Sequence, residues 1–237
     1  MPPPRFTDNT IRFLRNLKRH NDREWFRSHR EEYEREVKGP MVELIERLSV
    51  DLPTFAPELV ATPKTSLYRI YRDTRFSPDK SPYKTHVAAI FPHRALPKHV
   101  GAGLYLHVAP DHVLIGAGSY APEPRQLYRM REHLANHLKQ FRTIVESPSF
   151  RRNFGEVDGA RLKRVPKGFD ANDPAADYLK LRQFLASAER PSQFATRPRF
   201  YSSVVRLFEQ LAPFVRFLNA PLTRTRAQGA DLLSTAR

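Results

Sequence analysis

Hydrophobic positions at helical spacing open the chain. Ile11, Leu14 and Leu17, helped by Phe13, form a narrow apolar stripe with Thr7 or Asp8 placed to cap it, so a first helix is predicted to end near His20-Asn21. Asp22 stands where a cap is needed for a longer helical run through Trp25, Phe26, Tyr33 and Val37. Gly39-Pro40 breaks or kinks that run, and Met41, Leu44, Ile45, Leu48 and Leu52 carry it on at helical intervals. The charged residues between these positions belong to a wet face of i,i+4 pairs. Pro53, Pro57 and Pro63 then close the helical part.

Beyond Pro63 the period shifts to two. Strands are predicted at 67–72, 83–91, 103–108 and 112–118, with Ala109-Pro110-Asp111 turning the last pair into a hairpin. Alternation separates Val87, Ala89, Phe91, Leu104, Leu106 and Val108 from a second face carrying Lys84, His86, Ala88, Tyr105 and His107. Helical spacing returns over 125–145 and stops at Ser147-Pro148. A short helix through Phe150 and Phe154, a strand over 161–165, a helix near 175–181 and a strand over 183–188 follow, then a final helix over 202–218 kinked at Pro213. No internal repeat is visible. The pattern reads as α+β: a single domain over 6–220, its mostly antiparallel sheet covered by helices on the apolar face, with the basic, histidine-bearing face partly open. A disordered start at 1–5 and a disordered basic tail at 221–237 are expected to flank it.

Composition narrows the picture. At 237 residues and 40% hydrophobic content, the chain sustains a continuous core. The absence of cysteine excludes disulfides and thiolate-ligated metal sites. Met1-Pro2-Pro3-Pro4-Arg5 opens no apolar leader, and no segment approaches the roughly 18 apolar residues of a membrane span, so a cytoplasmic protein without a membrane partner is expected. Forty basic against 25 acidic residues give a formal charge of +15, which favours an anionic partner. The charge is unevenly spread: residues 21–51 hold nine acids against six bases, whereas 66–86 hold five bases against two acids.

The string R-I-Y-R-D-T-R-F-S-P-D-K-S-P-Y-K-T-H at 69–86 is joined by R-E-W-F at 23–26, L-Y-L-H-V at 104–108 and R-V-P-K-G-F-D at 164–170. Together these resemble a conserved hypothetical family widespread in bacteria, the domain of unknown function DUF2461. The likeness runs from about residue 6 to 220 and implies a single domain. It implies no activity and carries over no catalytic residue.

Candidate chemistry concentrates in the basic string. Arg69, Arg72, Arg75, Lys80 and Lys84 offer fork-shaped or point-charge donors for phosphate or carboxylate. Lys167, before Gly168, is a further candidate from the basic group Lys163, Arg164 and Lys167. Four readings stand side by side. Asp73 and Asp79 can pair with these cations and pin the loop. The cations can instead hold a small phosphorylated or carboxylated molecule, with His86 or His107 as candidate general acid or base. Tyr68, Tyr71, Phe76 and Tyr83 can stack on bases in a nucleic-acid or polyanion module. The chain can also be a partner-binding scaffold without a small-molecule site. No cofactor and no metal are expected. His133 and His137 lack the intervening glutamate of H-E-x-x-H, and Pro122 and Pro124 delay the helix that a G-x-G-x-x-A loop at 116–121 needs, so a glycine-lined bulge in a strand is expected there. With no specific catalytic signature, enzyme and binding protein both remain open, as does the oligomeric state.

Overall fold

The computed structural model describes residues 3–75 and 77–234, with side chains described as far as 223. Phe76, residues 1 and 2 of the expected start, and most side chains of the expected tail therefore lie outside the described residues. Four strands, β1 (Val87–Phe91), β2 (Gly103–Val108), β3 (His112–Ser119) and β4 (Phe184–Pro191), form one antiparallel sheet in sequential order. Helices make up most of the rest, so the class is α+β as the periodicity implied. By its contacts the chain divides into two compact units. The first comprises Met1–Phe91, Tyr105–Ile115 and Glu189–Leu207; the second comprises Pro92–Leu104, Gly116–Ala188 and Phe208–Arg237. Among the described residues no helix is long and apolar enough to cross a membrane.

In the first unit, α1 (Asp8–Arg19) buries Ile11, Phe13, Leu14 and Leu17, the stripe that announced it. Asp22 caps α2 (Arg23–Ser28), its carboxylate accepting from the Glu24 and Trp25 amides at 3.0 and 2.8 Å. After α3 (Arg30–Tyr33) the expected break at Gly39-Pro40 takes another form: a π-helical turn, Glu34–Lys38, leads without interruption into α4 (Gly39–Asp51). The physical reason is proline's missing donor. Pro40 cannot bond the carbonyl of Glu36, and the buried hydroxyl of Thr10 donates to that oxygen instead, at 2.6 Å. Met41, Leu44, Ile45 and Leu48 then fill the core beneath.

Two expected strands shrink. Over 67–72 and 83–86 there is no continuous ladder, only the isolated bridges Leu67↔Ala89 and Tyr71↔Tyr83 with a few backbone bonds such as Arg72 N–H to Pro82 O (2.9 Å) and Lys84 N–H to Ile70 O (2.8 Å). Pro78 and Pro82 supply no donors, so the pairing is intermittent. The hairpin between β2 and β3 forms where expected, closed by Ala109 N–H to His112 O at 2.8 Å. Burial alternates along β2: Leu104, Leu106 and Val108 are buried, Tyr105 and His107 half-buried.

In the second unit the helix expected over 125–145 is two, α6 (Pro124–Asn136) and α7 (Leu138–Val145), parted at His137, whose ring Nδ1–H takes the His133 carbonyl at 2.9 Å. After α8 (Pro148–Phe154), the strand expected at 161–165 is reduced to the bridge Arg161↔Leu181, and the helix near 175–181 to a single turn, α9 (Ala176–Leu179). The last helix, α10, spans Phe200–Ser234 with Pro213 inside it. Phe141, Phe150, Phe184, Phe214 and Leu218 are buried here, and the Asn219 amide exchanges bonds of 2.8 and 2.9 Å with the backbone of Ala102.

Candidate functional site

The short helices of the first unit build an arginine face. Arg23, Phe26, Arg27 and Arg30, spaced at i, i+3, i+4 and i+7, line one cleft, with Phe26 buried and the three arginines exposed. Opposite them lie residues 71–74 and 80–83. Between the two lies a cleft of about 450 Å³ lined by Arg23, Arg27, Arg30, Arg72 and Lys80 together with Phe26, Tyr71, Thr74, Pro82 and Tyr83. Among the described residues no carboxylate lines it. Among the described residues, Arg23, Arg27 and Arg30 have no carboxylate within ion-pair distance. The charges of Arg23 and Arg27 are felt at Tyr83, where they oppose the upward push that burial gives the phenol.

Aspartates order the basic string itself. Arg72 pairs with Asp79 and lies 3.4 Å from Ser77 Oγ, while Arg75 grips Asp73 through two bonds of 3.0 and 2.7 Å. The Arg75 pairing brings the Asp73 carboxyl down to about 2. Asp79 is held far below the usual carboxylate range, first by the Ser81 hydroxyl and amide and then by Arg72. Lys80 Nζ donates to the Thr74 carbonyl at 3.0 Å, and Lys84 Nζ to the Arg69 carbonyl at 2.9 Å while lying 5.2 Å over the Tyr68 ring. Arg69 is exposed, its charge acting on Asp73.

Of the six cations singled out in the sequence, Arg72 and Lys80 line the cleft. Arg72 and Lys84 also line a neighbouring hollow of about 610 Å³, with Lys18, Asn21, Asp73, Asp79, Ser81, Tyr83, Thr85 and His86. Arg69 and Arg75 line neither, and Lys167 is exposed in a turn of the second unit beside Gly168, whose φ is +96°. Arg23, Arg27 and Arg30 escaped sequence reasoning because they belong to a stretch of net negative charge. The available signal was their i,i+4,i+7 spacing.

His86 and His107 come together with His112 in the first unit, the His86 and His107 rings 4.9 Å apart. A carboxylate can only accept, which orients the chain of bonds: His112 Nδ1–H donates to Asp111 at 2.8 Å, His107 Nε2–H to His112 Nε2 at 2.8 Å, and the Tyr105 hydroxyl to His107 Nδ1 at 3.1 Å. Burial, reinforced by the neighbouring histidines, pushes His107 down to about 3, so it is neutral in this chain. His86 is also pushed down, by burial and then by Lys84 and His112. Asp111 faces Lys18 at 3.5 Å. Among the described residues no group of three or more His, Cys, Asp or Glu side chains is arranged to hold a metal ion.

No curated protein and no solved structure matches this chain. The model of one family does, over residues 9–217. That span takes in the arginine face, the aspartate-pinned segment and the histidine chain, and includes most of both compact units. The chain belongs to the conserved hypothetical protein family DUF2461.

Proposed function

We propose that the cleft between the α2–α3 face and residues 71–74 and 80–83 binds a small phosphorylated or carboxylated ligand. The observation that carries this reading is the set of three arginines, Arg23, Arg27 and Arg30, which line the cleft without a carboxylate partner among the described residues. Guanidinium groups held at one concavity repel each other, and an anion relieves that repulsion while accepting paired hydrogen bonds. The cleft volume of about 450 Å³ falls in the range of small-molecule sites. Pinning of the opposite wall by Asp73 and Asp79 supports the same reading, since a pre-ordered wall lowers the entropy lost on binding. His86 lines the adjoining hollow, where burial and then Lys84 and His112 push its pKa down and favour the neutral imidazole.

The test is titration calorimetry with inorganic pyrophosphate and citrate at low salt. Arg27→Gln and Arg30→Gln are each expected to weaken binding by about tenfold or more, the value of a lost charge-assisted bond. Absence of heat and of thermal stabilisation with either probe at millimolar levels overturns the reading.

A further inference from the structure

Resting on that anion site, we propose that its ligand is a single nucleotide, its base stacked on Tyr71 and its phosphates held by the α2–α3 arginines. Tyr71 is 52% exposed, one of four large apolar or aromatic side chains so exposed among the described residues, and it lines the cleft. Its ring is backed at 5.5 Å by Tyr83, which stacks at 4.2 Å and 25° on buried Phe26. A ladder of three rings thus climbs from the core into the cleft and leaves the last one accessible. The platform is held in place: Tyr71 bridges Tyr83, and backbone bonds of 2.9 and 2.8 Å fix residues 70–72 against 82–84. A ring kept rigid and exposed beside cationic groups suits a ligand with both a flat π face and a dense negative charge. An unsubstituted phosphate or a small dicarboxylate uses only the charge.

A longer strand is disfavoured by what comes next. The neighbouring hollow shares Arg72 and Tyr83 with the cleft, yet Asp73 and Asp79 line it, and their carboxylates repel a following phosphate. The site is accordingly one nucleotide long.

The experiment compares adenosine diphosphate with inorganic pyrophosphate, which carries the phosphates without the base, by calorimetry at fixed low salt. Wild-type protein is expected to bind the nucleotide about tenfold more tightly than pyrophosphate. Tyr71→Ala abolishes that difference, weakening the nucleotide far more than pyrophosphate; Tyr71→Phe keeps it; Arg27→Gln weakens both probes alike. Because Tyr71 is exposed, its variants are expected to melt as wild type does. Equal affinity for the two probes in wild type, or equal loss of both in Tyr71→Ala, overturns the nucleotide assignment and leaves the anion site standing. Tighter binding of a short oligodeoxythymidylate than of the mononucleotide overturns the single-nucleotide length. Failure of both adenosine diphosphate and pyrophosphate to bind removes the anion site and this assignment with it.

Discussion

Thr10 is a single hydroxyl that decides how a helix passes a proline. Its bond to the Glu36 carbonyl replaces the one that Pro40 cannot make. Thr10→Val keeps the shape and orphans that oxygen, and the expected cost is about 1–3 kcal/mol in urea denaturation. Asp22 caps the helix that carries Arg23 and Arg27. Asp22→Ala is expected to cost about 1 kcal/mol of stability, and to weaken pyrophosphate binding as well by loosening the arginines' platform. His107 governs acid sensitivity. Its pKa, about 3 when folded against 6.5 ordinarily, means that the unfolded chain takes up a proton between these values while the native chain does not. Stability is therefore full above about pH 6.5 and declines as the pH falls toward about 3, by at most about 1.4 kcal/mol per unit from this group. His107→Gln is expected to flatten the fall in denaturation midpoint between about pH 7 and about pH 5, with His86, shifted in the same direction, retaining part of it.

At the scale of elements, β3 is shaped by a glycine. Gly118 has φ of +133°, and a Cβ there would sit 1.9 Å from the Phe184 carbonyl oxygen of β4. The G-A-G stretch thus includes a point where backbones approach closely, within an unbroken strand. Gly118→Ala is expected to destabilise the fold by at least about 2 kcal/mol, read from the thermal midpoint, because neither the backbone angle nor the space suits a side chain. The segment 67–86 is an element of another kind. It lacks a continuous ladder, and its order comes from carboxylate clamps: Asp79 on Arg72 and Ser81, Asp73 on Arg75. Such clamps fix direction more than they add stability, since exposed pairs contribute little.

At the scale of the whole molecule, the chain carries a formal excess charge of +15. Long-range attraction of an anion by this field is screened within about 10 Å at ordinary ionic strength. Raising salt from about 0.05 M to about 1 M is therefore expected to weaken pyrophosphate binding by about tenfold or more, measured by calorimetry, with the smaller part of the loss in Arg27→Gln. A salt-independent affinity would contradict an ionic site. Aggregation near neutrality is opposed by the same charge.

Local rules determined much of this protein from its sequence. The α+β class, the α1 stripe, the Asp22 cap, the β2–β3 hairpin and the alternation of Leu104, Leu106 and Val108 with Tyr105 and His107 all follow from spacing within a few residues. Where neighbours in space compete with neighbours in sequence, only the tertiary structure decided. Where a break at Gly39-Pro40 is expected, a π-helical turn stands instead, and Thr10, 26 residues away, takes up its Glu36 carbonyl. One apolar run is parted at His137 into two helices, and Pro78 and Pro82, which lack an amide donor, leave the pairing of 67–72 as isolated bridges. The basic string was legible as charge, but its pairing with Asp73 and Asp79 was left open by composition alone. Arg23, Arg27 and Arg30 were hidden in an acidic stretch because charge counted along a chain averages over both faces of a helix, whereas a folded helix shows a ligand only one.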